Sequence, residues 1–491
     1  MQIKDITYLK NFRDKIYHFF YHRRDATMEL VDALSSTESA KSIVELSLNP
    51  LHRRNYCTIT RVLAEFYKSE SNVKDGFSEH KKNKNKELTK ILASCCPKEK
   101  TRNYHVFGVD CTANPRLYAP TVLDRSFVHA PTVISGNKPI TIGHQYSIAA
   151  YLPEKEEDRT PPWIIPLSCE RVESHENGVK VGMEQIKNCI ESQKIFKEEL
   201  CVSVADSAYS NPESLAFAGE NPNQIHISRA RNNRIFYYPY ADPSTTEIKQ
   251  KPKKRGRPKM YGDSHKLNNE STWRVPDESL EFETESKKGK PQIIKITCWN
   301  TIIMRGNKKA NVSDAVFRLI RICVYKKDGT FLFKRPLWLI VSGKRRLELS
   351  LKDIFLTYRQ RFDLEHFFRF GKTRLLLTQS QTPDTKHEEV WWQIAMMSYT
   401  QLYLARNIAQ NIPKPWERTL PTFKSPAKEK SPTQVQNDFL RIIQEIGTPA
   451  RPPKPRNKSK GRQKGDLQIK RKRYPIVSKK KKSPETLLDT G

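Results

Sequence analysis

The sequence is short of paired cysteines, of long apolar runs and of acid. Its nine cysteines (Cys57, Cys95, Cys96, Cys111, Cys169, Cys189, Cys201, Cys298 and Cys323) form no C-x-x-C pair, and no histidine cluster stands at zinc-ligand spacing. A disulfide framework and a structural zinc are therefore not expected, and the scatter suits a reducing compartment. No run approaches the ~18 apolar residues a membrane helix needs. Met1-Gln2-Ile3-Lys4-Asp5 opens no apolar signal region. These absences predict a soluble, cytoplasmic protein without a membrane partner. The shortage of acid is large: 54 Asp and Glu face 87 Lys and Arg, a net charge of +33. Such a surplus points to a polyanion, and nucleic acid is the commonest one.

What is present is enough apolar material for a core. Hydrophobic residues make up 37% and aromatics 10% of 491 residues, a length that exceeds one compact core. Residues 1–100 read as a helical domain. Val31, Leu34, Ile43 and Leu46, then Ile59, Val62, Leu63 and Phe66, recur at helical spacing, with Asn49-Pro50 between the two stretches. Arg53, Arg54 and Arg61 flank that break, so a basic helix entering a DNA groove and a bundle with a solvated charged face both fit.

From residue 101 the texture becomes α/β. Residues 104–110 (YHVFGVD) and 201–206 (CVSVAD) are buried-strand runs that each end in Asp. Residues 140–152 and 163–167 are further strand candidates, and 183–200 reads as a helix. Residues 224–345 form a β-rich block, within which the polar stretch 241–290 reads as an exposed basic loop. Helices follow over about 351–375 and 387–412, the second carrying Trp391 and Trp392 at core-packing spacing. In the C-terminal region, 416–491, the tail 451–482 holds 15 Lys and Arg against one Asp and is expected to be disordered. Removing that tail's +14 from +33 leaves +19, so the folded part is basic as well.

On one helix over 351–375, Tyr358, Arg361, Glu365 and Lys372 fall at offsets 0, 3, 7 and 14. At ~100° per residue these map within roughly 60° of one another. A carboxylate among cations is what a metal-and-phosphate site needs, although charged helices also carry such pairs on a solvated face. Asp110 and Asp206, each at a strand end where α/β sheets collect ligands, could converge with Glu365 on a pair of divalent ions. Hard oxygen ligands suit Mg²⁺ or Mn²⁺ rather than zinc.

The spacing Tyr358-x2-Arg361-x3-Glu365-x6-Lys372 resembles the Y-R-E-K signature of cut-and-paste insertion-sequence transposases of the bacterial family-four group. The resemblance covers residues 100–410. It implies an RNase H-like catalytic domain in two parts, 101–223 and 346–415, interrupted by the β-rich insertion 224–345. By it, Asp110, Asp206 and Glu365 would be the catalytic and metal-binding DDE carboxylates, and Tyr358, Arg361 and Lys372 would contact DNA phosphates. It further implies double-stranded DNA partners (inverted repeats and target), a homodimeric synapse, a hairpin intermediate in many relatives, and a nucleoid-associated location. Relatives can hold a flipped base on an insertion-domain Trp. Trp299 and Trp338 are the candidates, and their apolar strand context equally suits the core. Two other readings stay open: a decayed or domesticated non-catalytic DNA-binding relative, and an RNase H-like endonuclease without strand transfer.

Further basic features fit DNA. Lys251–Lys259 reads KPKKRGRPK, and Arg255-Gly256-Arg257-Pro258 looks like an AT-hook, with Lys259 beside it; a generic basic loop fits as well. Arg229 and Arg231 sit with Arg234 around an apparent hairpin turn at Asn232-Asn233, from which they could reach DNA.

Overall fold

The computed structural model describes residues 2–68, 77–130, 138–155, 160–240, 260–286, 289–307, 310, 315–410, 430–455 and 470–478, together with positions 416, 419, 461, 463–465 and 467. The chain begins with five helices: α1 (Gln2–Phe19), α2 (Arg24–Ser36), α3 (Ile43–Leu46), α4 (Cys57–Glu65) and α5 (Phe77–Ala93). The α/β part follows with β1 (Tyr104–Pro115), β2 (Ser126–His129), β3 (Ile140–Tyr151), β4 (Ile165–Val172), α6 (Gly178–Glu191), α7 (Lys194–Glu198), β5 (Leu200–Ala205), α8 (Pro212–Glu220) and β6 (Gln224–Ala230). Next come β7 (Ile235–Pro239), β8 (Tyr261–Lys266), β9 (Glu278–Glu285), β10 (Pro291–Ile302), β11 (Phe317–Lys326) and β12 (Leu337–Ser342). The described chain closes with α9 (Leu351–Gln360), α10 (Phe362–Arg374), α11 (Thr385–Ala405) and α12 (Pro432–Ile446).

A ten-stranded sheet organises the molecule, in the order β2-β3-β1-β5-β6-β12-β11-β10-β9 with β4 also on β3. β1, β5 and β6 run parallel; β3 and β4 are antiparallel, and so is everything from β12 outward. The parallel centre follows from composition. All six residues of β5 (LCVSVA) are buried, as are the first six of β1, because helices cover both faces of the sheet there. This mixed α/β architecture is consistent with an RNase H-like domain.

The helices have local causes. Asn177 accepts from the Val179 amide at the start of α6, Ser350 from Asp353 before α9, and Asp384 from Lys386 before α11. Ser431 and Gln434 form a reciprocal capping box with Pro432 in the first turn of α12.

Three expectations change in the fold. The N-terminal helices are not a separate domain: α1 and α2 pack on α11, α5 on β4, and α12 on α2 and α11, within one continuous core. Arg13 of α1, fully buried, pairs with Asp32 of α2 (Nη2–Oδ2 2.9 Å) and donates to Gln401 of α11 (3.0 Å). Arg53, exposed, and Arg54, half-buried, are held by the buried Glu29 at 3.0 and 3.2 Å and donate to the carbonyls of Ala450 and Arg451. Within the stretch read as a loop, residues 261–266 and 278–285 are strands β8 and β9. β9 is an edge strand whose alternate residues are half-buried, so it carries too few apolar residues to register as a strand. In the tail expected to be disordered, Val477 is bridged to Ser126 of β2 and the Tyr474 amide is bonded to the Pro120 carbonyl.

Buried histidine gives the fold an acid-sensitive point. His226 of β6 is fully buried against Ser203 (Nδ1–Oγ 2.9 Å), and burial lowers its pKa to about 4. The folded value lies below the unfolded ~6.5, so its contribution is present above pH 6.5 and lost as pH falls towards 4. The expected loss is up to about 3 kcal/mol at 1.36 kcal/mol per unit. Urea midpoints at pH 7 and 4.5 should separate for the native protein and draw together for His226→Asn; equal separations in both would disprove the assignment.

Candidate active site

Strand register puts two of the expected carboxylates side by side. Gly108 of β1 pairs with Val204 of β5 in a parallel ladder, so Asp110 and Asp206, each two residues further on, stand at the same level. Asp206 follows the end of β5 as expected, whereas Asp110, expected at a strand end, lies within β1, which runs on to Pro115 because β3 continues to pair with it. Parallel strands lie ~4.8 Å apart with matched side-chain parity. Ala205 likewise pairs with Ser228 of β6, which sets the exposed Arg229 level with Asp206. Asp206 caps the short 3₁₀ turn Ser207–Tyr209, its Oδ1 accepting from the Ala208 amide at 2.9 Å. Arg231 reaches the Ser207 hydroxyl at 3.3 Å. The expectation placed Arg229 and Arg231 on the insertion, whereas the parallel register places them beside the carboxylates. Sequence alone gave no signal for that neighbourhood.

The third carboxylate arrives on α10, and Gly108 lets it come close. A Cβ at Gly108 would stand 2.7 Å from Leu364 Cδ1, so the absent side chain is what allows Leu364 to seat on β1. Its neighbours on the chain then reach Asp110. Arg361 Nη1 stands 3.3 Å from Asp110 Oδ2, and its Nη2 donates to Glu365 Oε1 at 2.7 Å. The single helix expected over 351–375 is in fact two, joined at Arg361, where i→i+3 bonds (Arg361 N to Tyr358 O and Leu364 N to Arg361 O, both 3.1 Å) tighten the turn. Arg361 remains helical in backbone, so the four signature residues keep nearly one face.

Electrostatics mark the cluster. Asp110 is pushed up to about 6, first by burial and then by the negative charges of Asp206 and Glu365, with Arg361 opposing. Lys372 donates to Thr112 Oγ1 at 2.7 Å, and burial lowers its pKa. Beside it opens a cavity of about 620 Å³ lined by Cys111, Thr112, His129, Lys372, Gln379 and Gln381 among others.

Of the other expected site residues, Tyr358 is buried beside the carboxylates, with Arg361 5.9 Å from its ring and its hydroxyl pKa pushed up, first by burial, within reach of the charges of Arg361, Arg229 and Asp206. Trp299 and Trp338 are buried and stacked on each other (5.9 Å, 27°), with Trp299 Nε1 bonded to the Arg274 carbonyl at 2.8 Å; both are core residues of the insertion. The half-buried Trp273, not singled out in the sequence, stacks on His265 at the edge of the same cluster, with Arg321 5.2 Å from its ring. Arg255, Arg257 and Lys259 lie outside the described residues.

Among the described residues no three His, Cys, Asp or Glu side chains are arranged to hold a metal ion as they stand. The donor chemistry nevertheless fits a hard divalent cation: three carboxylates, two at one level and the third joined to the first through a guanidinium. Burial first, and then the charges of Asp206 and Glu365, raise the Asp110 pKa; a cation would offset both, and Arg361 supplies part of that charge here.

Residues 16–294 match the family described as DDE superfamily endonuclease, more than half of the chain, and the chain belongs to that family. The matched stretch includes Asp110 and Asp206 and ends before Glu365. No curated protein matches the sequence. Membership makes this an enzyme of the metal-using endonucleases that act on DNA. No helix among the described residues is long and apolar enough to cross a membrane.

Proposed function

We propose that the protein is a DNA transposase of the insertion-sequence type with the Y-R-E-K signature. It binds the inverted-repeat ends of its element, cuts them and joins the freed 3′-hydroxyl to target DNA, working as a homodimer when two ends are paired. The observation that carries the reading is the convergence of Asp110 and Asp206 on neighbouring parallel strands with Glu365 tied to Asp110 through Arg361. Asp110, Asp206 and Glu365 would hold two Mg²⁺ or Mn²⁺ ions, which supply the activated water or 3′-hydroxyl and the charge that stabilises the leaving oxygen.

The chain's own groups account for the rest. Arg361 and Lys372 flank the carboxylates from α10 and offer fixed positive charge to the scissile phosphodiester. Arg229 and Arg231 extend that charge along the strand ends of β5 and β6. Tyr358 holds Arg361 from below.

The test uses a duplex bearing the inverted repeats that flank the gene, incubated with the protein and Mg²⁺. Cleavage at the repeat ends followed by joining to a target plasmid is the expected result, and Asp206→Ala should show neither. Absence of metal-dependent end cleavage in the native protein would sink the proposal. Cleavage without joining would replace it with an endonuclease reading, and cleavage surviving in the variant would refute the site.

A further inference from the structure

We propose that residues 470–473 (Lys-Arg-Lys-Arg) form an anchored strap that grips the phosphate backbone of duplex DNA at the edge of the catalytic sheet. The inference rests on the reading of the carboxylate site as a DNA-cleaving centre, and it assigns part of the path the DNA takes.

β2 ends the sheet order and would otherwise present an unpaired strand edge. The segment that follows the four cations is fastened there. Val477 makes a parallel bridge with Ser126, and its amide donates to the Arg125 carbonyl at 2.7 Å. The Tyr474 amide donates to the Pro120 carbonyl at 2.8 Å. Arg125, itself buried, clamps the arrangement. Its Nη2 donates to the Tyr474 carbonyl at 3.3 Å, and its Nη1 to the carbonyls of Arg116 and Leu117 at 3.2 and 3.3 Å. Tyr474 and Val477 are the half-buried anchors, and the residues around them are exposed.

Lys470, Arg471, Lys472 and Arg473 are exposed, and among the described residues no carboxylate forms an ion pair with them. Lys472 stands 5.9 Å from the Tyr474 ring, so the cationic run begins at the anchor itself. The location is informative. The far end of β2, at His129 and Ala130, lines the cavity that also holds Lys372 and Cys111, the residue after Asp110. Through β3, Ser126 stands level with Pro115, five residues beyond Asp110 and two strands away, about 19 Å at ~3.3 Å per residue and ~4.8 Å per strand. A duplex carries a charge every ~1.7 Å of axis, so DNA seated at the carboxylates has phosphates within this range. A free basic tail must be ordered when it binds, whereas an anchored one has met most of that entropy already. Four exposed cations, with no carboxylate partner among the described residues, on a segment anchored at the edge of the catalytic sheet match a polyanionic backbone better than any other partner chemistry.

The experiment measures binding, not cutting. Association of an arbitrary-sequence linear duplex is followed against KCl concentration, in an Asp206→Ala background. It therefore stays informative even if the transposase reading fails. Two variants are compared: the triple Arg471→Ala/Lys472→Ala/Arg473→Ala, and Val477→Pro, which keeps every charge but removes the amide donated to Arg125. The triple variant should flatten the log–log salt slope by about 2 to 3, at ~0.9 per phosphate contact. Val477→Pro should weaken binding about tenfold at fixed salt through the ordering it reintroduces. An unchanged slope in the triple variant would overturn the DNA assignment. Native-like affinity in Val477→Pro beside a weakened triple variant would overturn the anchor and leave an unattached basic tail.

Discussion

Asp110→Asn is expected to abolish strand cleavage, by at least about a thousandfold, while making the metal-free protein more stable than the native one above pH 6. The loss follows because an amide does not supply the anionic oxygen that a divalent cation needs. That cation contributes several kcal/mol to the transition state, at 1.36 kcal/mol per tenfold in rate. The gain in stability has the opposite origin. Burial, then Asp206 and Glu365, raise the Asp110 carboxyl to about 6, against a usual 3.8, and Arg361 only partly opposes them. Because the folded value lies above the unfolded one, the native state takes up a proton between pH 4 and 6 that the unfolded chain does not. Stability therefore falls as pH rises through that window. The full penalty above pH 6 is about 3 kcal/mol at 1.36 kcal/mol per unit. Denaturant midpoints of both proteins in chelator, at pH 4 and 7, read it directly. A stability difference that does not grow with pH would contradict the electrostatic account, and retained cleavage would contradict the catalytic one.

The second large effect concerns a group that touches no DNA. Glu388 of α11 is fully buried and accepts from His144 Nδ1 and the Tyr146 hydroxyl, both at 2.8 Å, while Arg116 Nε stands 3.2 Å from its other oxygen. Burial alone would raise its carboxyl, but the hydrogen bond and charge of His144, with Arg116 and Tyr146, outweigh that and hold it below the ordinary value. Arg116 also donates to the Ser380 carbonyl at 3.1 Å and to Gln381 Oε1 at 2.8 Å, so the cluster fixes the loop lining the cavity to the end of β1. Glu388→Ala strands a buried guanidinium, and removing one partner of a buried pair costs about 3–5 kcal/mol. Chemical denaturation should show that loss, with Glu388→Gln retaining part of it. A cost below about 1 kcal/mol would mean that water or another carboxylate satisfies Arg116.

How far the sequence was legible depends on whether a feature is local. The buried runs of β1 and β5 are legible because their burial is continuous along a few residues, and Asp206 follows β5 directly. The end of β1 is not, because the strand runs on past Asp110 to Pro115 through the half-buried Asp110, Cys111 and Thr112, paired with β3. The helical character of 351–374 is legible because spacing alone sets helical phase, but the break at Arg361 into two helices is not, since it rests on i→i+3 backbone bonds that any residue can make. What failed to show depends on distant partners. α1 and α2 read as an independent domain because α11 and α12, which cover them, lie more than 340 residues away along the chain. Arg229 read as an insertion residue because only the β5–β6 register brings it level with Asp206. The placement of residues 474–477 uses backbone amides and carbonyls, which any residue offers, so a basic composition concealed it.

The pairing of β12 with β6 has a consequence for anyone trimming this enzyme. Trp338 to Ser342 hydrogen-bond along Ala230 to His226, so β9 to β12 share one continuous ladder with the strand next to Asp206. The block is thus a cantilever rooted in the catalytic sheet, not a module hung from a hinge. Excising it would leave β6 with an open, largely apolar edge that invites intermolecular pairing. The natural unit for a minimal nuclease therefore keeps β12.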